Sequence, residues 1–225
     1  MMRRFALTIC FVLFSLIGFS QVLFGVHAGV HNHSVNYTIG DTTQPSTAQF
    51  GYQFGVNLKV FFEKRLFFNP FLLYSLKKYQ VRFNRPSYPP SDAAINNDVT
   101  MYTIEFAPLL QYDFSYHPSH FFIRFGPSLD VGVGGRETFD LNNNTKQTQN
   151  ITYSNSQYSR FAASGVIHLG YEINNNFSIF AHYEHGFVNR SNADDGPKIF
   201  HRTVGISLGK YFGKNPNVFD TRVKR

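Results

Sequence analysis

Tryptophan is missing from this sequence, cysteine occurs once, and only 16% of the 225 residues are charged. The single cysteine, Cys10, lies in the N-terminal segment. The remainder of the chain therefore has no disulfide, no thiol nucleophile and no thiolate metal ligand, and its stability must come from backbone pairing and packing. Mean hydropathy is -0.22, so the apolar residues are spread out rather than clustered. What is abundant is Phe (26), Tyr (13) and Gly (17), a bias towards strands and tight turns over helices. The length suits one barrel or sandwich domain.

The first 20 residues differ from the rest. Arg3 and Arg4 precede an uncharged apolar run over residues 5–19, and Gly18, Phe19 and Ser20 surround a cut before Gln21, the pattern of a secretory signal peptide. About 15 apolar residues fall short of the roughly 20 that a spanning helix requires. Ile9 is too bulky for a lipobox ending at Cys10. The net charge is +7; without Arg3 and Arg4, 19 basic residues face 14 acidic ones, a net of +5. These basic residues are scattered rather than gathered in a patch, which argues against nucleic acid as a partner.

Period-two alternation carries the argument. From 50 to 62 every even residue is apolar (Phe50, Tyr52, Phe54, Val56, Leu58, Val60, Phe62), against one odd residue, Phe61. This length suits a tilted membrane strand. The pattern returns over 22–31, 121–134 and 160–173, with glycine and charge collecting on the second face each time. Residues 66–81, 99–114, 177–188 and 200–212 have strand composition with noisier alternation, which makes eight strands. The intervening segments run long, short, long, short, long, short, long: 34–48, 64–65, 84–98, 115–120, 135–159, 174–176 and 189–198. An up-and-down barrel gives this rhythm when one rim carries tight periplasmic turns and the other extended surface loops. Periodicity alone leaves open a soluble barrel with its apolar face inside. Glycine, however, covers a solvated surface poorly and fits a crowded lumen, so the apolar face is assigned to lipid. The expectation is an all-β, eight-stranded antiparallel up-and-down transmembrane β-barrel over 21–212, behind a signal peptide at 1–20 and ahead of a fraying basic tail at 213–225.

Several short stretches resemble the PorT-type outer-membrane β-barrel domain common in Bacteroidota, itself similar to small OmpA and OmpX barrels. They are Gly25-Val26-His27-Ala28-Gly29, Pro70-Phe71-Leu72-Leu73-Tyr74, Ile104-Glu105-Phe106-Ala107-Pro108-Leu109-Leu110, Gly126-Pro127, Gly170-Tyr171-Glu172-Ile173 with Tyr183 and Gly186-Phe187, and residues 205–212. The resemblance implies the outer membrane as location and, in some relatives, service to secretion, gliding or adhesion. The tail beyond Phe212 departs from that pattern.

The polar face should gather Lys59, Glu63, Glu105, Arg124, Asp130, Arg160, His168, Glu172, His182 and Glu184 into a lumen ion-pair network that plugs the barrel. His27, His31 and His33 share this face, but His27 and His31 lie roughly 13 Å apart at about 3.3 Å per residue and cannot share one ion; His31, His33 and a neighbour such as His201 could meet near the outer rim, yet without a fixed carboxylate or thiolate partner no metal and no cofactor is expected. His117-Pro118-Ser119-His120 reads as turn chemistry. The group His182-Tyr183-Glu184-His185 resembles the His region of lipid A deacylases, yet Phe187 stands where their serine would be and Ser191 is a poor substitute. A non-enzymatic protein is expected. Phe139, Tyr153 and Tyr158 are candidate partner contacts in the longest loop, or else that loop packs on itself. Phe50, Tyr112, Phe114, Tyr171, Tyr211 and Phe212 are candidate interfacial girdle residues. The role expected is structural, adhesive or secretion-accessory, with a small-solute pore or lipid-modifying enzyme as alternatives. The expected partners are outer-membrane lipid and lipopolysaccharide, with a surface or secretion-system protein beside them, for a monomeric barrel.

Overall fold

The alternating segments become strands: β1 (Val22–Ile39), β2 (Thr42–Gln44), β3 (Ser46–Glu63), β4 (Leu66–Arg82), β5 (Ala94–Asp113), β6 (His120–Leu141), β7 (Lys146–Asn150), β8 (Phe161–Ile173), β9 (Phe177–Gly186) and β10 (Lys198–Phe212). The computed structural model describes residues 22–84, 94–174, 176–194 and 196–213. The expected signal peptide and the tail residues from 214 lie outside the described residues. Eight strands form an antiparallel ring, β10-β9-β8-β6-β5-β4-β3-β1, and β10 pairs back onto β1 from Phe24↔Phe212 to Thr38↔Lys198. β2 extends β1 and β7 extends β6 as hairpin additions. Closure leaves the eight-strand ring without an unpaired edge, as a lipid environment demands.

At one rim the connections are short. Lys64 (φ 51°) and Asn174 (φ 49°) take the left-handed conformation that tight hairpins require, which asparagine accepts more readily than lysine. The outward face carries the apolar set: Phe50, Phe54, Phe121, Phe125, Phe161, Leu169 and Leu208 are all exposed. The twelve steps from Phe50 to Phe62 cover about 40 Å of strand, which a tilt of about 40° reduces to about 30 Å, one hydrocarbon thickness.

The strands run further than the alternation suggested. Residues 34–39, 94–98 and 135–141, expected as loops, are paired strand at the long-loop rim, and the first connection shrinks to a turn at Gly40 and Asp41. There the polarity of the two faces exchanges. Val35, Tyr37, Tyr79, Val81, Val99, Met101 and Phe139 point inward and form an apolar core, while Asn36, Thr38, Lys78, Gln80 and Thr138 turn outward. The barrel is thus apolar outside within the lipid band and apolar inside above it. In β6 a bulge contributes to this change: Tyr102 pairs with Gly134 and Thr103 with Gly132, leaving Val133 as an extra residue. Below the bulge the even residues Arg124, Ser128 and Asp130 face inward; above it Glu137 and Phe139 do.

Candidate functional site

The interior of the lipid-embedded part is built in layers. Nearest the short turns, Lys59 on β3 lies 3.0 Å from Asp113 and 2.8 Å from Glu172. His120 Nε2 is 3.0 Å from the same Asp113 oxygen, and Arg124 Nη2 is 3.7 Å from Glu172. Neutral groups complete the node. Gln111 donates to Asp113 at 2.6 Å and to Glu172 at 2.9 Å and accepts from Arg124 Nε at 2.6 Å, while the Tyr211 hydroxyl accepts from Arg124 Nη2 at 2.9 Å. The guanidinium also lies 3.9 Å from the Phe122 ring centre.

A mostly apolar layer follows, with Phe71, Leu73, Leu109, Phe122, Val166 and Phe180 closing on one another. His168 stacks on Phe180 (4.8 Å, 22°) and His27 packs against Phe71 at 4.8 Å. Above them Lys77 on β4 holds a second node, 3.0 Å from Glu184, 3.1 Å from Asp130 and 3.5 Å from Glu105, with Arg190 3.7 Å from Asp130. The carboxylates of each node converge as metal ligands do, but in both nodes a lysine ammonium already sits among them. His33 and His201 meet at 2.8 Å beside this node, and His31 Nε2 reaches the Leu76 carbonyl at 3.1 Å.

Of the ten residues expected in one network, Lys59, Glu105, Arg124, Asp130, Glu172 and Glu184 do bear ion pairs, divided between two nodes. His168 and His182 are inward but pack against aromatic and histidine rings instead. Two residues are corrected. Glu63 lies at the turn with its side chain 67% exposed and, among the described residues, is paired only with Lys64, because the irregularity between Phe61 and Glu63 ends the alternation. Arg160 precedes β8 and is exposed over the Tyr153 ring. Tyr211, expected in a girdle, is buried as a hydrogen-bond centre, and His120, expected in turn chemistry, belongs to the lower node.

The missed members are Lys77, Asp113, Gln111 and Arg190. Lys77 was hidden because β4 has apolar residues on both faces: Phe67, Phe71 and Leu73 are core, while Phe68 and Leu72 face lipid. The pairing of two lysines, Lys77-Lys78, was the available signal. One lysine of such a pair on a strand must point inward.

Above the apolar core, the loop between β7 and β8 and the loop between β9 and β10 fold over the rim. Tyr158 bridges to Tyr153 and Ser191, Asn192 N donates to the Gln157 carbonyl at 2.7 Å, and Tyr153 donates to the Gly134 carbonyl at 3.1 Å. Phe139 is buried and Tyr158 packs on the core, so this loop takes the self-packing alternative. Beneath it lies a cavity of about 50 Å³ lined by residues including Tyr37, Asn97, Glu137, Gln149, Tyr158 and Ser191. Burial pushes the Glu137 carboxyl up to about 7, partly offset by hydrogen bonds from Asn97 and Tyr158. His185 points outward and accepts or donates a 3.1 Å bond to the Tyr183 hydroxyl, while Ser191 Oγ accepts from the Ala193 amide.

Residues 18–192 match the family described as outer membrane protein beta-barrel domain. No curated protein sequence matches the chain. Among solved structures, it is similar to Neisserial surface protein A, at 14% identity with 84% of this chain and 97% of that one covered and a TM-score of 0.45. It is also similar to Ail, the attachment invasion locus protein of Yersinia pestis (14% identity, 85% and 99% covered, TM-score 0.42), and to OprG of Pseudomonas aeruginosa (11%, 87% and 98%, 0.45).

Proposed function

The chain belongs to the outer membrane protein beta-barrel domain family and resides in the outer membrane, and from that premise we propose a sealed, non-enzymatic barrel whose work is done by its extracellular end. The observation that carries this reading is the stacking of obstructions along the axis. Arg124, Lys59 and Lys77 are all but completely buried, an apolar layer separates the two nodes, and the core under the loops caps them. An eight-stranded interior is just wide enough for side chains to fill it.

A barrel that carries nothing through its middle serves through its surfaces. Above the lipid band this one presents a strand-built platform with its own core, suited to a structural or adhesive role. The resemblance to PorT-type barrels adds a secretion-accessory role as a finer reading, which would use the same platform against a protein partner. Arg82, Arg136, Lys198 and Arg202 are exposed around and above the outer limit of the apolar band, a position that favours the phosphates of lipopolysaccharide. No serine stands within the His185 hydrogen-bond pair, which favours the non-enzymatic reading.

The test is conductance in planar bilayers, using protein whose folding is verified by faster gel migration before boiling. A silent membrane is expected. Reproducible unitary steps would replace the sealed reading with a small-solute pore.

A further inference from the structure

Among the described residues, Glu137 is the one charged residue lining the cavity beneath the loops, and the other lining groups are neutral. Asn97 donates from Nδ2 to Glu137 Oε2 at 3.1 Å, which leaves Asn97 Oδ1, on a residue only 2% exposed, without a partner among the described residues. Gln149 on β7, Gln157, Tyr158 and Ser191 from the loops, and Tyr37 on β1 complete the lining. Among the described residues, charged groups at this end of the barrel are turned elsewhere: Arg190 lies beside Asp130 of the upper node, and Lys146 pairs with Asp140 at 3.2 Å. Arg136, next to Glu137 in sequence, is exposed on the opposite face of β6, and Lys198 next to Ile199 is likewise exposed. The titratable neighbours facing Glu137 are the hydroxyls of Tyr37, Tyr79 and Tyr158, each held neutral by burial.

A buried carboxylate with no cationic partner among the described residues, an orphaned amide oxygen and tyrosine rings together form a pocket whose polar groups lack a positive charge. Such a pocket lacks a compact cation that brings several N–H donors. Tyrosine faces favour the same charge. We propose that this vestibule cavity is a binding site for a small primary alkylammonium, with Glu137 as counter-ion, Asn97 Oδ1 as a second acceptor, and Tyr37 and Tyr158 as the walls. The volume, about 50 Å³, holds only a few non-hydrogen atoms. A primary ammonium brings three N–H donors to these acceptors, which a quaternary amine lacks, and a short chain or the amine-bearing end of a longer one suits the space. The assignment does not depend on whether the lumen is sealed, because the cavity lies above both ionic nodes.

The probe is ethylammonium chloride, titrated at pH 8 into the full refolded barrel in detergent micelles and followed by the side-chain amide resonances of Asn97 in ¹⁵N-labelled protein. Saturable shifts are expected with ethylammonium, and none with ethanol or tetramethylammonium at equal concentration. Lowering the pH to 6 should weaken binding about tenfold, since the site must then release a proton. Glu137→Gln should weaken it at least tenfold while keeping the heat-dependent gel shift that reports a closed barrel. If that variant fails to fold, the wild-type discrimination between ethylammonium and ethanol still decides. Shifts that never saturate, equal shifts with ethanol, or undiminished binding in folded Glu137→Gln would each overturn the assignment.

Discussion

Replacing Lys77 with methionine keeps the length of the side chain and removes the charge that three carboxylates share. Glu184, Asp130 and Glu105 lie 3.0, 3.1 and 3.5 Å from its nitrogen, and Arg190, 3.7 Å from Asp130, is the other cation at this node. Removing one partner of a buried ion pair costs roughly 3–5 kcal/mol because the remaining charge stays desolvated. With three acids left to a single distant guanidinium, the loss belongs near the upper end, about 5 kcal/mol, or between three and four decades in the folded-to-unfolded ratio. The assay is urea unfolding in lipid vesicles, read as the fraction of protein that still runs in the fast, unboiled form on a gel. The control is the adjacent residue: Lys78 points outward above the lipid band, so Lys78→Met should change stability by about 0.5 kcal/mol at most. Neutralising the node around the remaining Arg190–Asp130 pair, by Lys77→Met with Glu105→Gln and Glu184→Met, should recover much of the loss, since the one acid left then keeps its guanidinium. If Lys77→Met were no worse than Lys78→Met, the ion-pair account of the interior would be wrong.

Two further outcomes follow from the geometry. At Gly55 a Cβ would collide with the backbone carbonyl of Leu72, whereas at Gly134 its nearest neighbour would be a Tyr102 ring carbon 3.8 Å away; Gly55→Ala should therefore lower the urea midpoint by the equivalent of about 1–3 kcal/mol while Gly134→Ala leaves it nearly unchanged. Because the Glu137 carboxyl titrates near 7 in the folded protein against about 4.5 unfolded, the native state holds a proton that the unfolded chain has released; stability should fall as pH climbs between these values, by up to about 3 kcal/mol, and Glu137→Gln should flatten this slope in urea titrations at pH 4.5 and 8.

How much of this was legible beforehand depended on what each residue touches. In β3 the even residues from Phe50 to Leu58 meet lipid and the odd ones the lumen, so alternation alone placed Lys59 correctly. Above the band the outward residues meet water. There Val35 and Tyr37 follow the same parity as His31 and His33 with opposite chemistry, and a reading that looks for apolar residues outside sees only a loop. Glu137 was beyond reach for a different reason: counting by twos from Asp130 puts it on the outer face, and only the extra residue at Val133 turns it inward. The run Gly132-Val133-Gly134-Gly135 marks a place where the backbone is free to bulge, but the sequence does not say by how many residues. Dividing the interior charges into two nodes likewise needed the register between β4, β5 and β9, which no single strand carries.

The exchange of polarity also fixes how deep the barrel sits. A barrel with a uniform apolar belt and featureless ends could ride higher or lower in a bilayer of varying thickness. Here the outer limit of the belt gives way directly to Arg202 on β10 and Arg136 on β6. Sinking by one residue pair would press these guanidinium groups towards hydrocarbon, at up to about 1 kcal/mol each near the interface and more below it. Rising by the same amount would lift rings such as Phe50 and Phe161, 74% and 65% exposed, into water. The protein therefore carries its own waterline, and whatever the platform meets at the cell surface it meets at a constant height.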